Sequence, residues 1–455
     1  MTQEDTTELL ERLTRLLAED PTLAARLAAI TGDGDVVGDH NVATVNKLSA
    51  GDYAIQIGQL HLTLSPDQLR SLSVSASTSS PLPDTDMELR RLRAKLDYLC
   101  NLYQSSDCPF VLLGAVYLDI ILYPIETTTL KPYEWSNLDS LRCKLGGSAL
   151  LVGRYLGDLC RQRSYLFGAK GKEGDPFTSE FERLIAGERS RWMQDELVPC
   201  SSEGSCTGVT VHLIQQDRKF TTMFTDRGAV RNLDWALIAE KLRSRLTRGG
   251  VLYIGGYAKT ALSTNLHDNL QALHENTLIC IDHGRLTPAQ ARGSTMQSLR
   301  TVIELGLVDL YFCTYKELLT FYRRRGKDPS NSQEVKHTLE DLASRKALPP
   351  ITAVRDDLLP GKTKAYVIVG RSVWPLGDGG GDYLGNSAAG PVVGPINAFN
   401  ATMMYELVHT PRFGSLKDCA TEAGEKAQEY WAKLRSKAEK SGKTAQKPKS
   451  RAKLR

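Results

Sequence analysis

The sequence predicts an α/β fold in which helices cover both faces of a mostly parallel sheet. Helical periodicity and apolar runs alternate along the chain, and such alternation is typical of parallel strands joined by helical crossovers. The apolar runs suit strands buried on both faces and lie at 111–122, 251–255, 277–281, 308–312 and 365–369. Helical segments between them include 234–248 and 296–306. A chain of 455 residues can bury a substantial core around such a sheet.

Cysteine usage and hydropathy indicate a protein of the cytoplasm. The nine cysteines include no CxxC pair, and none has histidines at the spacing of a zinc site. They are therefore interpreted as reduced thiols. No stretch reaches the roughly 20 apolar residues that a membrane-spanning helix requires. We expect a soluble cytoplasmic protein with no membrane partner and no structural metal site.

The N-terminal residues 1–72 are interpreted as a separate, small α+β module. Leucines recur at helical spacing within 4–30. Short alternating runs at 42–45 and 53–57 predict two or three strands. A serine-rich segment with two prolines, 73–86, lacks periodicity and predicts a linker. The module is expected to serve assembly or recruitment, through a protein partner or through self-association.

The main domain is predicted over 87–415, and a C-terminal helix with a basic disordered tail follows in 416–455. Residues 433–455 contain ten Lys or Arg and one acidic residue, whereas the formal charge of the whole chain is only +4. The tail is too poor in apolar residues to order itself, and the rest of the chain is mildly acidic. The tail either keeps the protein soluble or makes weak contacts with nucleic acid.

Six segments stand out in a fixed order along the main domain. They read GAVYLDIIL, LGGSALLVGRYLGDL, GAKGKEGDPFTSEFERLI, TGVTVHLIQQDRKFTTMF, VDLYFCTYKEL and GPINAFNATMMYEL. In this order they resemble the landmarks of the ribokinase-like (PfkB) family of carbohydrate and nucleoside kinases. The resemblance implies a three-layer α/β/α sandwich with a small β lid. It also implies ATP and Mg²⁺ as cofactors and a sugar or nucleoside as the small-molecule partner.

The resemblance further implies roles for individual residues. Asp119 stands where the family has an aspartate that binds sugar hydroxyls at the end of its first strand. Gly146 and Gly147 match paired glycines that let the backbone approach the substrate, and Asn397 stands at the position of the catalytic base. The phosphate-binding position and the nucleotide or magnesium side correspond to Gly394, Thr314, Glu317 and Gly370.

The last segment departs from the family where the chemistry takes place. The family's Gly-Ala-Gly-Asp reads Gly394-Pro395-Ile396-Asn397 in this chain. An amide has no lone pair basic enough to accept a proton near neutral pH, so Asn397 can orient a hydroxyl without activating it. Pro395 lacks an N–H for phosphate, and Ile396 fills space that glycine leaves open. Loss of a general base costs about 10²–10⁴ in rate, so phosphotransfer is expected to be weak or lost.

Smaller departures favour the same interpretation. Thr178 replaces a glycine, Thr314 replaces the asparagine of the magnesium segment, and Arg371 stands where a second glycine is usual. Asn397 is nevertheless a good N-cap for a helix over 398–407, which would preserve the helix start.

Three functions remain open from the sequence. The first is a sensor or regulatory protein that binds a sugar, nucleoside or nucleotide. The second is an active kinase that uses another base, such as Asp282 or Asp382, and the third is a scaffold without a small ligand. Asp282 precedes His283 near the sheet edge where ligands of such folds bind. The glycine-rich run 377–381 predicts a surface loop, because it lacks the Lys-Ser/Thr of a phosphate-binding loop.

Overall fold

The computed structural model describes most of the second part of the chain and three short strands before it. The described residues are 43–47, 53–57, 60–64, 85–105, 108–125, 140–189, 193–199, 206–215, 221–284, 288–323, 332–355, 365–376, 395–409, 415–427 and 429. The chain divides into two compact units, 1–82 and 83–455. The helices predicted within 4–30, most of the predicted linker and the basic tail lie outside the described residues.

The first unit contains a three-stranded antiparallel sheet. Its strands are β1 (Ala43–Lys47), β2 (Tyr53–Ile57) and β3 (Leu60–Leu64). Strand β2 lies in the middle and pairs with both neighbours. The strands predicted near 42–45 and 53–57 are present, and their alternation of apolar and polar residues suits a pleated backbone.

The second unit is built from strands that alternate with helices. The strands are β4 (Phe110–Gly114), β5 (Tyr117–Ile125), β6 (Ser140–Gly146), β7 (Ser164–Phe167), β8 (Ala169–Lys170), β9 (Met193–Asp195), β10 (Val198–Pro199), β11 (Val209–Gln215), β12 (Thr221–Asp226), β13 (Gly250–Gly255), β14 (Thr277–Asp282), β15 (Leu310–Thr314), β16 (Ile351–Arg355), β17 (Ala365–Val369) and β18 (Ser372–Leu376). The helices are α1 (Thr85–Gln104), α2 (Ser148–Cys160), α3 (Pro176–Arg189), α4 (Ala239–Arg245), α5 (Leu266–Leu273), α6 (Pro288–Arg292), α7 (Ser294–Glu304), α8 (Tyr315–Phe321), α9 (Ser332–Arg345), α10 (Pro395–His409) and α11 (416–427). Within the described residues, none of these helices has the length and apolar character needed to cross a membrane.

Nine strands form the main sheet, in the order β18-β17-β16-β15-β14-β13-β4-β7-β9. Neighbours from β9 to β16 are parallel, whereas β17 and β18 are added antiparallel at one edge. Every residue of the six strands from β4 to β17 in this order is buried. Burial on both faces explains their continuous apolar sequences. The prediction of a mostly parallel sheet is confirmed.

Helices cover both faces of the main sheet, and the strand side chains alternate between two cores. One core joins Phe110 and Leu112 of β4 with α1, α2, α10 and α11. The other joins Val111 and Leu113 of the same strand with α4, α5, α7, α8 and α9. Because successive residues of a strand point to opposite faces, this alternation defines three layers. The predicted α/β/α sandwich is confirmed.

A second, smaller sheet contains four strands in the order β12-β11-β5-β6. Strands β5 and β11 pair in parallel, while β6 and β12 are added antiparallel at the two edges. We call it the lid sheet. It matches the small β lid that the ordered segments imply.

The prediction of one continuous strand over 111–122 is wrong. Strand β4 ends at Gly114 in the main sheet, and β5 starts at Tyr117 in the lid sheet. Gly114 has a φ of 135° and lies against the backbone of Gly255, so the chain leaves the main sheet at a position that favours glycine. Both halves of the segment are apolar, and periodicity therefore could not reveal the break.

The helix predicted over 234–248 is shorter than expected. The carboxylate of Asp234 accepts the N–H of Leu237 and caps a 3-10 turn that precedes α4. The indole N–H of Trp235 in this turn donates to the carbonyl of Leu262 at 2.7 Å. This hydrogen bond and the burial of the large ring favour the tighter turn over a longer α-helix.

A buried ion pair attaches α1 to the main sheet. The ammonium of Lys95 lies 2.7 Å from Oδ2 and 2.9 Å from Oδ1 of Asp309, and both side chains are almost fully buried. Oδ2 of Asp309 also accepts the N–H of Ile279 in β14 at 2.8 Å. Burial lowers the pKa of Lys95, while the charge of Asp309 opposes the shift. Because buried charges need a partner, this pair fixes where α1 meets the sheet.

His274, at the end of α5, makes the stability of the fold depend on pH. Burial, followed by the charge of Lys95, lowers the pKa of His274 from 6.5 to about 4. The unfolded chain therefore binds this proton more tightly, and the free energy of unfolding falls as the pH drops from 6.5 to about 4. Over this pH range, we expect His274→Gln to lose about 2 kcal/mol less of its free energy of unfolding than the wild type loses. Urea denaturation at both pH values measures the two losses.

The control for this prediction is His337→Gln, which changes an exposed histidine on α9. It should leave the acid loss of the wild type unchanged. If acid lowers the free energy of unfolding equally in the wild type and in His274→Gln, His274 is not the cause of this pH dependence.

Candidate functional site

Four buried polar side chains form a network at the carboxyl ends of the central strands. Nδ2 of Asn400 donates to Oδ2 of Asp282 at 2.9 Å and to the hydroxyl of Tyr253 at 3.2 Å. Oδ1 of Asn400 accepts from Nη1 of Arg355 at 2.7 Å, and Nη2 of Arg355 lies 3.9 Å from Oδ2 of Asp282. Both ends of the carboxamide are engaged, which fixes its orientation. We call these four residues the edge network.

The edge network holds the start of α10 against the main sheet. Asp282 ends β14 and Arg355 ends β16, whereas Asn400 comes from α10. Burial raises the pKa of Tyr253 well above its ordinary value, so its hydroxyl stays protonated. Residues three apart share one face of a helix. Asn397 therefore lies on the same face as Asn400, one turn closer to the helix start.

Replacing Asn400 by leucine should destabilise the fold by about 3 kcal/mol. The substitution removes hydrogen bonds to two buried charged groups, and each such bond contributes about 1.5–3 kcal/mol. Thr402 offers a matched control, because its hydroxyl is buried on the same helix and has no partner among the described residues. Thr402→Val should change the free energy of unfolding little in urea denaturation. Equal losses in the two variants would contradict the anchoring role of the edge network.

The structure corrects the prediction that Asn397 caps a helix. Helix α10 begins at Pro395, so Asn397 lies inside the first turn and is not its N-cap. Proline suits the first helical position, because the first N–H groups of a helix have no partner within it. Asn397 is half-buried in this turn. Gly394 lies outside the described residues, and its contact with phosphate stays a prediction.

Asp119 lies in the lid sheet beside the first of the paired glycines. A Cβ added at Gly146 would collide with the carboxylate of Asp119. Asp119 is only 4% exposed, and its Oδ2 lies 3.5 Å from Nε2 of His212 on β11. The prediction that Asp119 ends its strand is wrong, since it lies near the start of β5. Its role in binding sugar hydroxyls stays a prediction.

The second paired glycine brings the lid sheet to the edge of the main sheet that carries the edge network. Gly147 has a φ of 92°, and a Cβ there would strike the carbonyl of Ala115, so the position favours glycine. Helix α2 begins directly after it, and a Cβ added at Gly255 would lie 3.1 Å from Oγ of Ser148. Gly255 pairs with Asp282 across β13 and β14. The start of α2 therefore lies beside the edge network.

The segment assigned to the magnesium side forms a helix cap. Oγ1 of Thr314 accepts the N–H of Glu317 at 3.3 Å, and the carboxylate of Glu317 accepts the N–H of Thr314 at 2.7 Å. This capping box starts α8. In the part of the chain that the structure describes, no group of three His, Cys, Asp or Glu side chains could hold a metal ion. The carboxylate of Glu317 is engaged by the backbone in this cap. A role of Thr314 or Glu317 toward Mg²⁺ stays a prediction, and we assign no chemical step to the ion.

The nucleotide side of the prediction is only partly described. Gly370 lies in the turn between β17 and β18 with a φ of 59°, a conformation that suits glycine in a tight hairpin. Arg371 follows in the same turn. The run 377–381 and Asp382 lie outside the described residues. A role of Gly370 toward nucleotide stays a prediction.

Asp282 and His283 do not act as a pair. The carboxylate of Asp282 belongs to the edge network, and its Oδ1 accepts the N–H of Gly284 at 2.8 Å. The ring of His283 packs against Tyr311 and Phe321 in the opposite core. Burial lowers the pKa of His283, so the ring is neutral near pH 7. Successive residues of a strand point to opposite faces, which separates the two side chains.

Thr178, at a position where the family has glycine, belongs to a buried chain of hydrogen bonds. Oγ1 of Thr178 lies 2.8 Å from Oδ2 of Asp175 and 2.8 Å from Oγ1 of Thr207. Oγ1 of Thr207 in turn accepts the N–H of Gly171 at 2.9 Å. The threonine therefore ties the start of α3 to the segment that enters β11.

Sequence reasoning missed two side chains of this region. Asn400 follows Asn397 at helical spacing, and that spacing could have placed both on one helix face. His212 follows Thr210 in an alternating segment, which predicts a shared face of a strand. The contact between His212 and Asp119 depends on the order of strands in the lid sheet, which alternation alone does not give.

Comparison with solved structures finds the same fold in sugar and nucleoside kinases. Phosphofructokinase-2 from Escherichia coli is 14% identical, with a TM-score of 0.52 over 72% of this chain and 99% of its own. Ribokinase from Giardia lamblia is 16% identical, with a TM-score of 0.50 over 70% of this chain and 90% of its own. Adenosine kinase from Schistosoma mansoni is 14% identical, with a TM-score of 0.50 over 70% and 94%. No family model and no curated protein matches the sequence.

The chain therefore has a ribokinase-like fold. The resemblance inferred from the six ordered segments is confirmed at the level of architecture. Sequence identities this low show a shared fold, and a fold alone does not determine substrate or activity.

Proposed function

We propose that this chain binds a sugar, a nucleoside or a nucleotide beside Asp119 and transfers phosphate weakly or not at all. It acts as a sensor or regulatory protein of the pseudokinase type. The observation that carries the proposal is a contrast between two positions. A buried carboxylate is kept at Asp119, whereas position 397 carries a carboxamide.

The surroundings of Asp119 support binding of a hydroxylated ligand. A buried carboxylate needs hydrogen-bond donors, and sugar hydroxyls are such donors. Gly146 gives the carboxylate room and lets the backbone come close. Two proteins of the same fold are described with ligands of this class. Adenosine kinase from Schistosoma mansoni is in complex with 2-fluoroadenosine, and phosphofructokinase-2 from Escherichia coli is in complex with substrates and products.

The start of α10 supports a loss of transfer. ATP, when bound, supplies the phosphoryl group, and helix N–H groups are well suited to hold it. Pro395 contributes no N–H to this turn, and Asn397 cannot accept the proton of an attacking hydroxyl. Loss of the base costs about 10²–10⁴ in rate, and loss of an anion donor costs about 10²–10³. Either loss leaves a poor kinase.

An active kinase that uses Asp282 as its base is less well supported. A general base must reach the hydroxyl that it deprotonates. The two oxygens of Asp282 already accept hydrogen bonds from Asn400 and from the N–H of Gly284. This carboxylate holds the start of α10 in place.

Thermal unfolding with candidate ligands tests the proposal. A ligand that binds only the folded protein raises the Tm. We expect at least one of ribose, fructose, glucose, adenosine, inosine and AMP to raise the Tm of the wild type, with or without ATP. Asp119→Asn, which keeps the size of the side chain and removes its charge, should abolish the shift. The control Asp97→Asn removes an exposed carboxylate on α1. In this variant, the ligand should still raise the Tm as it does in the wild type.

Two outcomes would overturn the proposal. If none of these ligands raises the Tm, the chain acts as a scaffold without a small ligand. If the shift is equal in the wild type and in Asp119→Asn, the ligand binds elsewhere.

A further inference from the structure

One face of the lid sheet gathers polar and charged side chains around Asp119. Asp119 on β5 pairs with Lys144 on β6 and with Thr210 on β11. Directly paired residues project from the same face, with Cβ atoms about 5 Å apart in an antiparallel pair. Residues two positions further along a strand share that face, which adds Arg142 and His212. We call these five residues the lid cluster.

On this face, two buried polar atoms have no hydrogen-bond partner within the described ranges. Nε2 of His212 lies 3.5 Å from Oδ2 of Asp119, and it has no hydrogen-bond partner among the described residues. The hydroxyl of Tyr117, two residues before Asp119, is also buried and has no hydrogen-bond partner among the described residues. Buried polar atoms are nearly always hydrogen-bonded in native proteins. A ligand hydroxyl can donate to the carboxylate of Asp119 while its oxygen accepts from His212.

The other side of Asp119 is rich in positive charge. Lys144 and Arg142 lie on β6 with a large part of each side chain exposed to solvent. Partial burial, followed by the charges of Arg142 and Arg154, lowers the pKa of Lys144, while Asp119 acts in the opposite direction. Arg154 has its own partner, Asp158, at 3.6 Å. Among the described residues of this face, the carboxylate of Asp119 lies near two cations, and this surplus of positive charge favours an anionic group nearby.

We propose that the lid cluster recognises a polyhydroxylated ligand that carries an anionic group, either a phosphate ester or a carboxylate. Asp119 and His212 bind hydroxyls of this ligand, and Lys144 with Arg142 bind its anion through charge-assisted hydrogen bonds. The inference rests on the proposed function, because it names the ligand class of the same site. A neutral sugar or nucleoside uses only half of the lid cluster and binds less tightly.

Calorimetric titration with matched ligand pairs tests this inference. The pairs are ribose with ribose 5-phosphate, glucose with gluconate, and adenosine with AMP. We expect the anionic member of at least one pair to bind about 10-fold more tightly or better, since one hydrogen bond between charged groups is worth that much. Added salt should shrink this difference, because Lys144 and Arg142 are exposed.

Substitutions then separate the two halves of the lid cluster. Lys144→Met should lower the affinity for the anionic ligand about 10-fold and leave the affinity for its neutral counterpart unchanged. Lys346→Met, which removes an exposed lysine just after α9, is the matched control and should leave both unchanged. His212→Leu should weaken both members of a pair equally, and His212→Gln, which keeps a donor, should retain binding. The glutamine variant keeps the test valid if the leucine variant does not fold.

The outcomes distinguish the inference from the function on which it rests. Equal affinities within every pair, together with no effect of Lys144→Met, would overturn the anionic ligand class and leave sugar or nucleoside binding intact. If the wild type binds neither member of any pair, the proposed function itself fails.

Discussion

Replacing Lys95 by methionine should lower the free energy of unfolding by about 4 kcal/mol. The substitution leaves the carboxylate of Asp309 buried without the ammonium that lies 2.7 Å away. Removal of one partner from a buried ion pair typically costs about 3–5 kcal/mol, because an uncompensated charge stays in a medium of low dielectric constant. Urea denaturation followed by circular dichroism measures the loss directly.

A second substitution should recover most of this stability. In Lys95→Met with Asp309→Asn, no charge is buried, and the asparagine can still accept the N–H of Ile279. We expect the double variant to regain at least half of the loss. Lys336→Met removes a lysine from an exposed pair with Glu340 and should have almost no effect. A double variant no more stable than Lys95→Met would contradict the view that the unpaired charge causes the loss.

Restoring the family residues at the start of α10 should create phosphotransfer. In the variant Pro395→Ala, Ile396→Gly, Asn397→Asp, the carboxylate can accept a proton, and alanine returns an N–H to the first turn. A carboxylate there is also favoured by the positive end of the helix dipole. We expect at least about 10²-fold more ATP-dependent phosphorylation of a ligand that raises the Tm. Mass spectrometry of the ligand measures the gain.

The matched control for this gain is Pro395→Ala with Ile396→Gly, which keeps Asn397. It has the restored backbone and lacks the base, so it should be slower than the triple variant by at least about 10²-fold. If the ligand still stabilises the triple variant and no product forms, position 397 is not where the acceptor hydroxyl would lose its proton. The assignment of Asn397 to the base position would then be wrong.

Much of the fold could be predicted, because strands that are buried on both faces are continuous apolar runs in the sequence. Strands such as β13 and β17 are continuous apolar runs, and their bounds differ from the predicted ones by no more than a residue. The break between Gly114 and Tyr117 could not be predicted in this way. It depends on the contact of Gly114 with Gly255, which are distant in sequence and meet only in the folded sheet.

The candidate site was predictable only in part, for a similar reason. The resemblance implied that Asp119 and Gly146 serve the same substrate site, which periodicity does not show. Their closeness follows from the pairing of β5 with β6. The start of α10 was misplaced, because asparagine is a good cap and Pro395 is an equally good first helical residue. The contact of His212 with Asp119 requires β11 to pair with β5, and local patterns do not specify that pairing.

Binding without transfer is tested most directly by a single-turnover reaction. The protein, in excess over a ligand that raises its Tm, is mixed with ATP and Mg²⁺, and the ligand is followed by mass spectrometry. We predict that the ligand is recovered unchanged while it still stabilises the wild-type protein. Stoichiometric phosphorylation of the ligand, abolished by Asn397→Ala, would contradict this prediction.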